Sequence, residues 1–417
     1  MKQISGNKLL VRALKEEGVD TIFGYPGACT IDISDELYKQ DDIRIILPRH
    51  EQALVHEADA YARTTGKVGV CLVTSGPGAT NLVTGLATAN YDSVPLVCFT
   101  GQVARPLIGN DAFQEVDIVG ITRSITKYGV TVRNREDLGR IIKEAFYIAR
   151  TGRPGPVLID LPKDVMAELG SADYPDTVNI RGYKPNTNVH MGQLKRALKM
   201  LKKAKKPLFL AGGGVNIARA NDVFTEVVEK TEVPVVTTIM GRGAVPTDHP
   251  LYIGNLGMHG AYASNMAVSE CDLLFSIGTR FNDRITGKLH EFAPNAQIVH
   301  IDIDTASISR NIHVDILVSN PPYIDYDEVL DPRVVDHEPH LALFADDHGY
   351  ACYEKIFKEA PSVLKEKAIL AFEIGYNQGE RMKQLVPLYF PNDTFEVIKD
   401  MNGKDRMLFI YHNYGNI

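Results

Sequence analysis

The chain has 417 residues, of which 44% are hydrophobic and 23% charged, as in an ordinary globular protein. Its net charge of −7 argues against a nucleic acid or an anionic membrane as a partner held by bulk charge. Five scattered cysteines without a Cys-x-x-Cys pair argue against a disulfide framework or structural zinc, and no apolar stretch approaches about 18 residues. We therefore expect a cytoplasmic protein.

Residues 1–164 alternate helical and strand patterns. Ser5 is a candidate N-cap of a first helix that stops at Gly18. A further helix is predicted at residues 51–65, and short buried strands are predicted at residues 19–23, 43–47, 68–74 and 95–100. Such alternation predicts an α/β domain with a parallel, doubly wound sheet.

The remaining sequence divides into three parts. Residues 165–190 collect Gly, Pro, Asp and Asn and suit a linker. Residues 191–314 alternate again and predict a second doubly wound parallel-sheet domain, which begins with a basic helix near residues 193–203. Residues 315–417 form a third segment.

Three motifs in the first domain each follow a predicted strand. They are Phe23-Gly24-Tyr25-Pro26-Gly27, Pro48-Arg49-His50-Glu51-Gln52 and Thr74-Ser75-Gly76-Pro77-Gly78. Each motif alone is more often a helix start or a turn. Ligands of open α/β sheets, however, bind at the carboxyl ends of strands. Together the motifs resemble the pyrimidine-binding domain of thiamine-diphosphate enzymes.

That resemblance implies a role for each motif. Glu51 would hydrogen-bond the aminopyrimidine ring of the cofactor, with Gly27, Gly76 and Gly78 beside it. A carboxylate there favours the imino tautomer, through which the cofactor is activated to attack a 2-keto acid and then serves as the electron sink for decarboxylation.

Four further motifs narrow the resemblance. They are Thr100-Gly101-Gln102-Val103, Ala112-Phe113-Gln114-Glu115, Arg153-Pro154-Gly155-Pro156-Val157 and Asp160-Leu161-Pro162-Lys163-Asp164. They are similar to acetolactate synthase large subunits, which condense pyruvate with a second 2-keto acid in branched-chain amino acid biosynthesis. The resemblance places Phe113, Gln114 and Lys163 along the substrate approach. It also implies a homo-oligomer and a regulatory small subunit.

The second domain is rich in glycines that follow strands, which lets backbone N–H groups approach a pyrophosphate. One such turn alone is more often structural, but the set resembles the middle domain of acetolactate synthase, which binds FAD in a structural role. The resemblance assigns ten residues to the dinucleotide: Arg153, Gly212, Gly213, Gly214, His259, Gly260, Gly278, Arg280, Asp302 and Asp304.

A third domain of that family holds the cofactor diphosphate through Mg²⁺, with a Gly-Asp-Gly followed by Asn-Asn. Neither string occurs in these 417 residues, so no metal ligand is assigned. We therefore expect only half of a thiamine-diphosphate site and a catalytically incomplete transferase.

The third segment opens with a different motif. An apolar stretch runs into Asn320, Pro321, Pro322 and Tyr323, which resembles the substrate-amide clamp of the release-factor glutamine N5-methyltransferase. The glycine-rich S-adenosylmethionine loop lies upstream in that family, and no Gly-x-Gly follows Ile316. The resemblance thus predicts a partial Rossmann-like segment that lacks its methyl-donor loop. A release factor is a partner only if this segment is functional.

Three functions therefore stay open. The first is an acetolactate synthase-like transferase by ancestry, inactive alone. The second is a methyltransferase fragment, and the third is a non-catalytic FAD-binding protein or the product of a gene rearrangement. The sequence Val314-Asp315-Ile316 fits both parent patterns, as a join within a short shared stretch predicts.

Overall fold

The computed structural model describes residues 3–180, 182–183, 185, 191–304, 307–308, 314–319, 349–362, 364–400 and 403–414. The chain divides into two compact units, Met1–Ile180 and Arg181–Ile417. The predicted amide clamp, from Asn320 to Tyr323, lies outside the described residues. No helix within the described ranges is long and apolar enough to cross a membrane.

The first unit alternates strands with helices. Its strands are β1 (Gln3–Ser5), β2 (Thr21–Tyr25), β3 (Arg44–Ile46), β4 (Gly69–Val73), β5 (Leu96–Gln102), β6 (Tyr128–Thr131), β7 (Pro156–Pro162) and β8 (Leu169–Ser171). Its helices are α1 (Gly6–Glu16), α2 (Ile31–Tyr38), α3 (Glu51–Thr65), α4 (Pro77–Thr80), α5 (Val83–Asp92), α6 (Ile118–Thr122), α7 (Leu138–Arg150) and α8 (Lys163–Ala167), with 3-10 turns at Arg105–Leu107 and Arg135–Asp137.

Six of these strands form a parallel sheet in the order β3-β2-β4-β5-β7-β6. Every residue of β4, β5 and β7 is buried, as expected for strands covered on both faces. The predicted α/β class and parallel sheet are confirmed.

Local signals explain where the helices begin and end. Ser5 caps α1 as predicted, because its hydroxyl accepts the Lys8 N–H at 3.3 Å. His50 caps α3 through its Nδ1 atom, which accepts the Gln52 N–H at 3.1 Å. Helix α3 ends at Gly66, whose φ of 70° is the left-handed conformation that glycine adopts readily.

The first part of the predicted linker folds with the first unit. Val165 and Met166 are buried, and β8 pairs antiparallel with β1. The guanidinium of Arg135 donates to the carbonyls of Ile4 at 2.9 Å and Ser171 at 3.3 Å. Long-range backbone pairing thus orders a stretch that has no apolar periodicity.

The second unit carries two sheets. Its strands are β9 (Pro207–Ala211), β10 (Val235–Thr237), β11 (Tyr252–Asn255), β12 (Leu273–Ile277), β13 (Gln297–Ile301), β14 (Val314–Ser319), β15 (Leu364–Glu373), β16 (Thr394–Lys399) and β17 (Asp405–His412). Its helices are α9 (Met191–Lys203), α10 (Gly213–Ile217), α11 (Asn221–Thr231), α12 (Tyr262–Glu270), α13 (Asp283–Thr286), α14 (Ala351–Glu359) and α15 (Gly379–Tyr389), with 3-10 turns at Ile239–Gly241, Leu289–Glu291 and Ala360–Ser362.

The two sheets of this unit differ in kind. Strands β9 to β13 form a parallel sheet in the order β11-β10-β9-β12-β13, which confirms the second predicted parallel sheet. The later strands form a mixed sheet in the order β14-β15-β17-β16, where β14 and β15 are parallel and β17 is antiparallel to both its neighbours. This sheet has its own apolar core, which includes Tyr353, Phe357 and Phe372.

Close packing of α3 on α5 yields a stability prediction. A Cβ atom at Gly85 would lie 1.9 Å from Val55 Cγ1, whereas one at Gly24 would meet its nearest atom, Ile45 Cγ2, at an ordinary 3.6 Å. We expect Gly85→Ala to lower the free energy of unfolding by about 1–3 kcal/mol through overpacking. We expect Gly24→Ala, in a strand, to be neutral or stabilising. Urea unfolding of both variants checks this, and equal effects would contradict it.

Candidate functional site

The loops after β2 and β4 lie against each other at one edge of the first sheet. A Cβ atom at Gly27 would lie 2.5 Å from Thr74 Cβ, which only glycine avoids. The backbone N–H of Cys29 also lies 3.4 Å from Thr74 Oγ1, as donor to acceptor. Two of the three sequence motifs therefore meet around Thr74.

Glu51 joins them from the first turn of α3, where a carboxylate is favourable against the helix dipole. Its half-buried side chain accepts one hydrogen bond, from Asn81 Nδ2 to Oε2 at 2.9 Å. The other oxygen, Oε1, lies beside Gly78, where an added Cβ would stand at 3.5 Å. The same Cβ would meet Thr74 Cγ2 at 2.9 Å, so packing against Thr74 favours a glycine there and brings its backbone beside the carboxylate.

Gln114 reaches the same place from a different loop. A Cβ atom at Gly76 would lie 2.7 Å from the Gln114 carbonyl oxygen, and both residues have a φ of 60°. That conformation is uncommon for glutamine and costs backbone strain. Phe113 precedes it in the loop and is 86% exposed.

Lys163 begins α8, directly after β7. Its Nζ atom donates to the carbonyl of Ala28 at 3.1 Å, next to Gly27. The structure therefore brings Glu51, Gly27, Gly76, Gly78, Gln114 and Lys163 together around the ends of β2, β4 and β7.

Asn81 is the residue of this site that the motifs did not predict. It follows α4 and donates to Glu51, 30 positions earlier. The signal in the sequence is one side-chain amide among small, hydroxyl and apolar residues after Gly-Pro-Gly, which many helices show without function.

A buried carboxyl group lies at the neighbouring strand ends. Asp160 on β7 sits between Thr100 on β5 and Thr131 on β6 in register. Both hydroxyls donate to it, at 2.8 and 3.0 Å, and Gln102 Nε2 donates at 3.1 Å. Burial is the largest influence and raises the pKa of Asp160 from 3.8 to about 6, although the donors oppose it.

Arg153 lies in the first unit and contacts the end of α5. Its guanidinium donates to the carbonyl of Asn90 at 2.8 Å and to the hydroxyl of Ser93 at 2.9 Å. It stabilises the carbonyl end of a helix there.

In the second unit, glycines fit two strand-end loops together. Gly214 N–H donates to the Gly278 carbonyl at 3.0 Å, and a Cβ at Gly212 would lie 2.1 Å from that oxygen. A Cβ at Gly213 would meet Met240 Cβ at 3.0 Å. Backbone packing alone therefore accounts for Gly212, Gly214 and Gly278.

His259 and Gly260 belong to the loop after β11. His259 is exposed, and the Gly260 N–H donates to the Gly257 carbonyl at 2.9 Å. Asn265 holds this turn by accepting the Gly257 N–H at 2.8 Å and donating to its carbonyl at 3.1 Å.

Arg280, Asp302 and Asp304 follow β12 and β13, which are neighbours in register. Asp302 Oδ1 accepts the Asp304 N–H at 2.9 Å. Between these segments, His300 Nε2 lies 2.8 Å from the Thr279 carbonyl, and burial lowers the pKa of this histidine. The acidic residues and Arg280 thus share one edge of the second sheet. Among the described residues, no group of three or more His, Cys, Asp or Glu side chains could hold a metal ion.

Comparisons with known families match a different model to each of the two units. Residues 4–121 match the family described as "Thiamine pyrophosphate enzyme, N-terminal TPP binding domain", and residues 194–322 match "Thiamine pyrophosphate enzyme, central domain". The chain carries the N-terminal and central domains of the thiamine pyrophosphate enzymes. The central-domain match extends beyond the predicted seam and overlaps Asn320, Pro321 and Pro322.

Individual relatives share about half of the aligned residues. The acetolactate synthase large subunit of Buchnera aphidicola subsp. Schizaphis graminum is 50% identical over 318 residues, which are 76% of this chain and 56% of that protein. The acetolactate synthase isozyme 3 large subunit of Escherichia coli is 49% identical over 318 residues, or 76% of this chain and 55% of that protein. The chain therefore spans about half the length of the relatives it matches.

The raised pKa of Asp160 contributes to the pH dependence of stability. Between its ordinary pKa of 3.8 and about 6, the folded thiamine pyrophosphate-binding domain holds a proton that the unfolded chain has released. Stability should therefore fall as pH rises through this window, by up to about 3 kcal/mol from this group. Denaturant unfolding from acidic to neutral pH should show Asp160→Asn gaining stability relative to the unsubstituted protein across the window. The exposed Asp41→Asn is the control. A pH-independent difference for Asp160→Asn would contradict the assignment.

Proposed function

We propose that the first unit binds the aminopyrimidine part of thiamine diphosphate through Glu51. The observation that carries this is the position of Glu51, whose Oε1 atom lies beside Gly78 at the edge where the loops after β2, β4 and β7 meet. Asn81 fixes the second oxygen, so the carboxylate is oriented before a ligand arrives. The match to the N-terminal TPP binding domain supports the same assignment.

When bound, thiamine diphosphate supplies the electron sink for decarboxylation of a 2-keto acid. The residues of this chain hold and orient it. Glu51 accepts a hydrogen bond from the ring and favours one tautomer, while Lys163 and Gln114 stand beside the same edge, where a keto acid would approach. Phe113 offers an exposed apolar face close by.

We further propose that the second unit binds FAD in a structural role. Because packing explains its glycines, support comes instead from Arg280, Asp302 and Asp304 at the strand ends, together with the match to the central domain. Arginine suits a pyrophosphate, and a carboxylate suits ribose hydroxyls. Bound FAD would stabilise the fold by mass action.

The activity proposed for the lineage is acetolactate synthase-like transfer between 2-keto acids, in branched-chain amino acid biosynthesis. The relatives named above are acetolactate synthase large subunits, which supports a small-subunit partner, and we propose a homo-oligomer from the family resemblance alone. The strings that hold diphosphate and Mg²⁺ in this family do not occur in the 417 residues. We therefore propose that these residues alone do not complete the reaction.

A second candidate function concerns residues 314–417, which would derive from a release-factor glutamine methyltransferase. Strand β14 ends at Ser319, immediately before Asn320, and Ser319 pairs with Phe372 near the end of parallel β15. The described ends of both strands thus lie at one edge of the sheet. A rearrangement product is the third possibility. Sequencing source DNA across residues 313–317 tests it, because two separate genes there would mean that the fused chain does not exist.

Glu51 should control binding of thiamine diphosphate. We expect Glu51→Gln to weaken binding about tenfold or more, because hydrogen bonds to charged groups are worth roughly 1.5–3 kcal/mol. Glu57→Gln, an exposed residue on the same helix, is the matched control. Ligand-detected NMR of the pyrimidine methyl group gives the measurement. Equal affinities for the two variants would refute the role of Glu51.

Turnover by the chain alone is a separate outcome. We expect no detectable acetolactate from pyruvate, thiamine diphosphate, Mg²⁺ and FAD, since the diphosphate lacks its anchoring residues. A colorimetric assay of acetolactate measures this, and robust turnover would contradict the proposed incompleteness.

FAD should bind more tightly than S-adenosylmethionine. Calorimetry of the chain with each ligand tests this order, because the central domain is present and the methyl-donor loop is not. Arg280→Ala should weaken FAD binding, whereas Lys288→Ala, an exposed cation on the same segment, should not. Equal affinity for both ligands, or none for FAD, would overturn this proposal.

A further inference from the structure

The side chain of Gln102 joins the two ends of one loop. Its Oε1 atom accepts the Val103 N–H at 2.9 Å, and its Nε2 atom donates to the Val116 carbonyl at 2.9 Å. Residues 103–116 lie between these two contacts. Gln102 is only 3% exposed, so these hydrogen bonds are shielded from water. Hydrogen bonds are stronger in the protein interior than in water.

Asp160 determines how this amide is oriented. At neutral pH the carboxylate of Asp160 is ionised and only accepts hydrogen bonds, so the NH₂ end of Gln102 must face it, at 3.1 Å. The carbonyl end of the amide must then face Val103. Both N–H groups of the amide are used, one by Asp160 and one by Val116.

The loop closed in this way carries Phe113 and Gln114. Gln114 holds a left-handed backbone conformation with its carbonyl against Gly76, which requires surrounding contacts to maintain it. Glu115 braces the middle of the loop by accepting the Gly109 N–H at 2.6 Å. Gln102 is the described side chain whose hydrogen bonds reach both Val103 and Val116.

We propose that Gln102 is a positioning residue that sets the place of Phe113 and Gln114, and that Asp160 acts through it by fixing its amide. This rests on the proposed function of the first unit, in which these two residues line the substrate approach. The alternative is that the bonds only stabilise the core, as buried polar networks commonly do.

The chain offers a sensitive reporter because it contains no tryptophan. Phe113→Trp places a single indole at an exposed loop position, and its fluorescence anisotropy then reports the order of this loop. Hydrogen exchange of the backbone amides of residues 103–118 gives a second measure. Neither measurement needs thiamine diphosphate, so a failure of cofactor binding leaves the test of Gln102 intact.

In the Phe113→Trp background, Gln102→Leu should lower the anisotropy and speed loop amide exchange by about tenfold, equivalent to ~1.4 kcal/mol. The matched control is Gln40→Leu. Gln40 likewise connects backbone groups, with Nε2 donating to the Leu37 carbonyl at 2.9 Å and Oε1 accepting the Ile43 N–H at 2.9 Å. It should lower the melting temperature and leave the reporter loop unchanged. Equal loosening of the loop by both variants, or none by Gln102→Leu, overturns the proposal.

A paired substitution separates positioning from core stability. Gln102→Glu alone sets two carboxylates together and removes both donors. Adding Asp160→Asn restores a donor and an acceptor between positions 102 and 160, but Val116 still lacks its donor. We expect the melting temperature to recover towards that of the unsubstituted protein while exchange at residues 115–118 stays fast. If slow amide exchange in the loop returned together with the melting temperature, the pair at positions 102 and 160 alone would determine the order of the loop. That result would overturn the bridging role of Gln102.

Discussion

In a parallel sheet all strands end at the same edge, and the candidate site of the first unit depends on this constraint. Strands β2, β4, β5 and β7 are neighbours, so the loops that follow them crowd into a small region. Motifs far apart in sequence meet there because each directly follows one of these strands. Glu51 joins them from the start of α3, where the exposed helix end favours a negative charge.

The same crowding explains why glycines collect at strand ends. The Gly27 backbone approaches the Thr74 side chain in the first unit, and the Gly212 and Gly278 backbones approach each other in the second, more closely than a Cβ atom permits. A glycine-rich turn is therefore as much a consequence of parallel-sheet geometry as of a bound pyrophosphate. Gly78 is subject to the same constraint, because its Cβ would meet Thr74 Cγ2 at 2.9 Å. The indication of a ligand therefore comes from the polar side chain beside it, Glu51, and not from the glycine.

Local signals in the sequence predicted much of the fold and of this site. Helix α3 occupies the predicted residues because His50 and Gly66 mark its ends, and Glu51 could be found because it opens that helix. Features set by distant partners could not be predicted. The partner of Asn81 lies 30 positions away, and the strand pair that orders the start of the predicted linker joins Ile4 to Gly170. Both depend on contacts that no periodic pattern encodes.

Asp160 shows where the demands of folding and of the site diverge. Burying a carboxyl group costs free energy, as its raised pKa records, and an apolar residue between two strands would pack at lower cost. An acceptor-only group, however, fixes the direction of each donor around it, including the amide of Gln102. The second threonine hydroxyl, on β6, shares the oxygen that Gln102 uses, so the carboxylate is held from two neighbouring strands. Burial of Asp160 thus destabilises the sheet, and the same carboxylate orients the Gln102 amide at the edge of the sheet. The loop of Phe113 and Gln114 begins at that edge.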